Sequence, residues 1–109
     1  MAVTPETARN VIKRAGGRCE GECGRWFKNI RYHYPAKMAI HHWLYHRAKG
    51  KPERDVEENL AYVCFECHPK SNSFESRQWF WARQVQHYGR DRMVQFNESI
   101  PEQVREYFE

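Results

Sequence analysis

Two close cysteine pairs, Cys19 with Cys23 and Cys64 with Cys67, stand far apart in the chain and constrain its fold more than any other feature. A short spacer lets both sulfurs of a pair point at one centre, so each pair is able to clasp half of a tetrahedral ion at about 2.3 Å per sulfur. Four thiolates with no fifth candidate suit zinc in a closed, structural site. The first pair has three intervening residues where two are commoner, which widens the turn but stays within the range zinc sites use. The competing reading is a disulfide pair or buried thiols, which a reducing compartment disfavours. With 109 residues there is room for one domain, spanning 1–109, whose modest core gains from a metal staple.

The net charge of +4 and a pI near 9.0 favour nucleic acid over an acidic partner. No apolar run approaches a membrane span and the N-terminus lacks a signal-peptide pattern, so the expected location is the cytoplasm, with no membrane partner. Internal repeats, low-complexity tracts and domain linkers are not evident.

Local signals predict the elements. Thr4 reads as an N-cap, Pro5 as the first helical position and Glu6 as a first-turn acid, with Val11, Ile12 and Ala15 as the apolar side and Gly16-Gly17 as the stop. Lys37 to Leu44 predicts a short strand, Tyr45 to Glu58 a long surface loop, and Leu60 to Val63 a second strand. A helix follows Cys67, with Pro69 in its first turn and a restart at Asn72, whose partner in the cap is Glu75. Phe74, Trp81, Val85 and Tyr88 mark one face of that helix and Gly89 its end. Arg90 to Phe96 predicts a further helix, and Ser99 with Glu102 a capping box opening a last one. The class is α+β: an N-terminal helix, a core over about residues 18–88, and a helical extension over about 90–109.

Three histidines and an asparagine fall at telling places: His41-His42 at the end of the first strand, Asn59 opening the second, and His68 directly after the second cysteine pair. Phosphodiester hydrolysis needs a metal at the phosphate and a base that activates water, and imidazole suits the base because it titrates near neutrality. The ordering Ile40-His41-His42, then Asn59-Leu60, then Cys64 to His68 resembles the HNH (ββα-metal, or His-Me finger) endonuclease family over roughly Arg18 to Lys70. In that family a ββα unit carries the site, and many members wrap it in a four-cysteine zinc. The resemblance implies His41 and His68 as ligands of a catalytic divalent metal, His42 as general base, and Asn59 as a tether that holds the histidine-bearing backbone. It also implies a stand-alone nuclease of the kind phages and mobile elements encode, acting in the host-cell cytoplasm, leaving 5′-phosphates, with weak sequence specificity.

Members often carry aspartate where this chain has His41. Two imidazoles make a softer site, so manganese, cobalt or nickel is expected to serve better than magnesium. Strand neighbours point to opposite faces, so His41 and His42 share one site only if the strand ends or kinks there. Asn72 reads more readily as a helix cap than as a ligand, His46 as a phosphate contact or a solvated histidine, and His33 and His87 take no role. Arg47, Lys49, Lys51 and Lys70 are the expected DNA contacts, made mostly to phosphates, with Arg25, Lys28, Arg31, Lys37, Arg54 and Arg77 nearby. Trp79-Phe80-Trp81 is too broad a run to face one side of a helix. Oligomeric state, monomer or dimer, is open. The alternative function is a non-catalytic, zinc-dependent nucleic-acid-binding module, and the plainest one treats His41 and His42 as ordinary polar residues of a zinc ribbon.

Overall fold

The computed structural model describes residues 3–16, 19–20, 38–64 and 73–108. Helix α1 (Pro5–Ala15) starts where Thr4 Oγ1 accepts from the Thr7 amide at 3.1 Å. It stops at Gly16, whose left-handed φ of 62° lets its N–H reach the carbonyls of Ile12 and Lys13. Its inward stripe is Val11 and Ala15 with Arg14 between them, while Ile12 is 39% exposed. The expected apolar side is thus rotated: Ile12 lies a quarter-turn from the buried line, and a charged residue takes the inner place.

Strands β1 (Met38–His42) and β2 (Leu60–Cys64) pair antiparallel, with Ile40 opposite Tyr62 and His42 opposite Leu60. The first strand is shorter than the expected 37–44, because Trp43, Leu44 and Tyr45 leave the sheet and drive into the core. Four of the five β2 residues are buried, as in a strand covered on both faces. The connection between the strands is not plain loop: it holds 3-10 turns at Pro52–Arg54 and Glu57–Asn59.

Helix α2 (Phe74–Tyr88) is capped by Ser73, whose hydroxyl accepts from the Ser76 amide at 3.0 Å, so the cap is Ser73 and not Asn72. Its buried face is Ser76, Phe80, Trp81 and Gln84. Of the expected Phe74–Trp81–Val85–Tyr88 face, Trp81 is buried and Val85 and Tyr88 pack against the core, while Phe74 is 42% exposed. The buried line also takes in Gln84, which donates to the carbonyls of Glu57 and Glu58, and Trp79 is the member of its aromatic run that turns outward. Gly89, at φ 93°, breaks the path into α3 (Arg90–Glu98). Ser99 ends α3 by donating to the Phe96 carbonyl, so no helix opens at Ser99. The C-terminal segment instead forms a 3-10 turn, Arg105–Phe108, that inserts Tyr107 between the rings of Phe74 and Trp81 at 5.8 and 5.6 Å. Burial holds the Tyr107 phenol far above its ordinary range. Among the described residues the molecule is therefore a small α+β domain of three α-helices and a two-stranded sheet, and no helix is long and apolar enough to cross a membrane.

The core joins Trp43, Leu44, Ala61, Val63, Phe80, Met93 and Ile100. Beside it lies a buried ion pair. Arg14 grips both carboxylate oxygens of Glu20, at 2.8 and 2.6 Å, and its remaining donors reach the carbonyls of Glu57 and Leu60 and the hydroxyl of Tyr88. The two side chains are only 3% and 0% exposed. Burial disfavours the charged guanidinium, but Glu20 outweighs it and the Arg14 pKa rises. Glu20 also accepts from the Tyr62 amide and from Arg83.

Glu20→Ala leaves Arg14 buried without its counter-ion and should cost about 3 to 5 kcal/mol in urea unfolding. The joint replacement Arg14→Met with Glu20→Leu should recover most of that loss. A single-variant cost below about 1 kcal/mol would mean the pair behaves as a surface one.

Candidate functional site

His41 and His42 are the last two residues of β1, so the pleat turns them to opposite faces. His41, half-buried, shares its face with Trp43, whose ring lies edge-on at 5.9 Å, and with His46 at 6.0 Å. That face leads to α2: the Trp43 indole N–H reaches the Ser76 carbonyl at 3.3 Å, and an Arg77 Nη2 lies 2.9 Å from His46 Nε2. His42, only 6% exposed, turns the other way and sets its Nε2 2.7 Å from Asp55 Oδ1. The strand end therefore gives the two imidazoles different neighbours.

Asn59, with no exposed surface, spans the long connection. Its Oδ1 accepts from the Tyr45 amide at 2.7 Å, and its Nδ2 donates to the carbonyls of Tyr45 and Arg54, both at 2.8 Å. The Trp43 amide adds a bond to the Asn59 carbonyl at 2.8 Å. One side chain thus fixes where the segment leaves β1 and where it returns. Tyr45 is itself anchored in the core, its hydroxyl bonded to Asn97 and accepting from the Val104 amide, and burial pushes its phenol pKa up.

The same segment walls a cleft of about 660 Å³ lined by Arg47, Lys49, Gly50, Lys51 and Asp55. Gly50, at φ 77°, turns the chain between its cations. Three basic residues and the carboxylate that holds His42 thus meet in one concavity. Glu102 accepts from Lys51 Nζ and Arg54 Nη2, each at 2.7 Å, and these two contacts hold its carboxyl below the usual range. Asp55 belongs to this site although nothing in the sequence marks it: an acid in a charged loop reads as solvated surface, and only its approach to His42 sets it apart.

A second constellation joins distant parts of the chain. Cys19 Sγ and Cys64 Sγ lie 3.7 Å apart, both almost wholly buried, and the Cys64 amide points at the Cys19 sulfur at 3.4 Å. A disulfide would hold the sulfurs at about 2.05 Å, whereas two thiolates on one tetrahedral zinc at about 2.3 Å each are separated by about 3.8 Å. The separation fits shared coordination. Cys23, Cys67, His68, Lys70 and Asn72 lie outside the described residues. No cluster of three or more metal-ligating side chains occurs among the described residues. Compared with models of known families, with curated proteins and with solved structures, the chain matches none.

Asn59→Ala leaves a buried amide and two carbonyls without their partner, and should lower stability by about 2 to 4 kcal/mol. Hydrogen exchange should show the Tyr45 amide losing its protection while the amides of β2 keep theirs. Unchanged protection at Tyr45 would show that the connection is held by other means.

Proposed function

We propose that this chain is a metal-dependent DNA endonuclease of the HNH type, hydrolysing phosphodiesters with weak sequence specificity inside the cytoplasm. The observation that supports it most is the cleft in which Arg47, Lys49 and Lys51 flank the carboxylate that holds His42. Such a concavity attracts a phosphate backbone by charge, and the carboxylate in its wall holds the imidazole behind it in a fixed setting. In this reading the ββα unit is β1, β2 and α2, and Lys70 adds a phosphate contact.

Two metals belong to the proposal. Cys19, Cys23, Cys64 and Cys67 would hold a structural zinc, and the Cys19–Cys64 separation of 3.7 Å fits that donor set. His41 and His68 would hold the catalytic divalent ion: manganese, nickel, cobalt or magnesium, with the softer three preferred by imidazoles. When bound, that ion supplies charge at the phosphate and at the departing oxygen. His42 takes a proton from water, the water oxygen bonds to phosphorus, and the bond to the 3′ oxygen breaks; that oxygen leaves with the electron pair and takes a proton from solvent, so the products are a 3′-hydroxyl and a 5′-phosphate. Arg47, Lys49 and Lys51 orient the backbone, and Asn59 keeps the histidine-bearing segment in register.

A second reading has its own observation. The opposite facing of His41 and His42 suits a zinc-dependent nucleic-acid-binding module without chemistry. Plasmid nicking in manganese separates the two. The wild type should cut, and His42→Ala should bind DNA normally but lose about 10²–10⁴-fold in rate. Changing Arg47, Lys49 and Lys51 together to Gln should weaken binding and reduce its salt slope by about three. A wild type that binds and never cuts in any of the four metals leaves only the binding module.

The zinc is tested separately. Elemental analysis should give one zinc per chain, and Cys19→Ser or Cys64→Ser should release it and unfold the domain, because binding free energy here is folding free energy. A folded, zinc-free wild type would remove the staple.

A further inference from the structure

Asp55 has no assigned role, yet its geometry is the sharpest in the cleft. We propose that Asp55 is the positioning residue of the general base: it fixes the tautomer of His42, so that Nδ1 and not Nε2 is the nitrogen that takes the proton from water. This rests on the endonuclease reading and deepens it.

The contact determines the protonation pattern. An ionised carboxylate only accepts hydrogen bonds, so the 2.7 Å approach of Asp55 Oδ1 to His42 Nε2 requires the proton on Nε2. In the neutral ring the lone pair then belongs to Nδ1. His42 is 6% exposed and the Asp55 side chain 14%, so water competes little for the bond. A free imidazole interconverts its tautomers, and a base present half the time in the wrong one loses both rate and orientation.

Asp55 is itself held. It closes the 3-10 turn Pro52–Arg54, its amide bonded to the Pro52 carbonyl at 3.0 Å. The carbonyl of Arg54, one residue before it, accepts from Asn59 Nδ2. The Arg54 guanidinium ties the turn to the His46 carbonyl and to Glu102. Asn59 thus acts on His42 along two routes: through the backbone that leaves β1, and through the turn that presents Asp55. The carboxylate also lines the cleft with Arg47, Lys49 and Lys51, so the group that orients the ring stands beside the cations that would draw a phosphate.

The test has two readouts. Long-range proton–nitrogen NMR of the zinc-loaded protein should show the neutral His42 ring carrying its proton on Nε2 and not on Nδ1. Asp55→Asn offers an amide N–H that favours the opposite tautomer; it should shift that pattern and lower kcat by about 10²–10⁴-fold while DNA binds no more weakly than to the wild type, as loss of the orienting acid does in a hydrolytic triad. Asp55→Glu should restore part of both. A wild-type His42 protonated on Nδ1 overturns the proposal whether or not any variant folds, as does an Asp55→Asn protein that cuts at the wild-type rate. A wild type that never cuts overturns the endonuclease reading instead, and the NMR pattern still decides whether Asp55 sets the ring.

Discussion

Arg14 and Glu20 bind each other where almost no water reaches, and five segments meet at that contact. Arg14 lies in the last turn of α1, Glu20 follows Cys19, and their shared bonds reach β2 through Leu60 and Tyr62, the Glu57 turn, and α2 through Tyr88 and Arg83. A lone charge at this depth would be expelled or neutralised, so each residue is tolerable only because the other is present. The pair therefore acts as a registration device: α1 and the cysteine-bearing segment have one way to dock on β2. Because Cys19 precedes Glu20, docking the carboxylate also carries the thiol to Cys64, and the backbone bond from the Glu20 amide to the Tyr62 carbonyl at 2.7 Å reinforces the approach.

The connection between the strands is the second dependency. A segment of that length would wander if it relied on turn propensity alone. Three side chains prevent it. Tyr45 inserts into the aromatic cluster of Phe96 and Tyr107, Asn59 closes the two ends onto each other, and Glu102 clamps Lys51 and Arg54 from the C-terminal turn. The C-terminal segment thus supports the cleft wall from outside. The Glu102 clamp is exposed and contributes orientation more than stability.

Much of this was readable in the chain, and the rest was hidden for definite reasons. Caps are local chemistry, so Thr4, Gly16 and Gly89 disclose the helix ends, and the short β-rich runs disclose a two-stranded sheet. Tertiary partners are not local. Arg14 and Glu20 read as surface charges because charge is normally solvated, and nothing in either neighbourhood announces the other. Gln84 joins the buried face of α2 because it has carbonyls to satisfy in the Glu57 turn, a demand the apolar periodicity does not carry. Ser99 has the residues of a capping box, but its hydroxyl serves the helix behind it. In the cleft, Arg47, Lys49 and Lys51 are conspicuous as a basic run, whereas Asp55 becomes visible only when the backbone folds it against His42.

The facing of the two strand-end imidazoles bears directly on the chemistry we propose. In-line displacement at phosphorus separates its tasks in space: water is activated on one side, and the leaving oxygen is stabilised on the other. A base and a metal ligand must still converge on one phosphate, and rings on opposite strand faces do so less readily than rings in one pocket, which is the opening for the binding-only reading. Sequence neighbours on a pleated strand diverge by construction, and His41 and His42 close β1 opposite Ala61 and Leu60. His42 would then address the phosphate from the Asp55 cleft, while the His41 face, with His46 and Arg77, would address it from the side of α2. A module that only binds has use for the cations of the cleft but none for a carboxylate among them that holds a buried imidazole. That is why the His42–Asp55 contact, and not the basic charge, carries the catalytic reading.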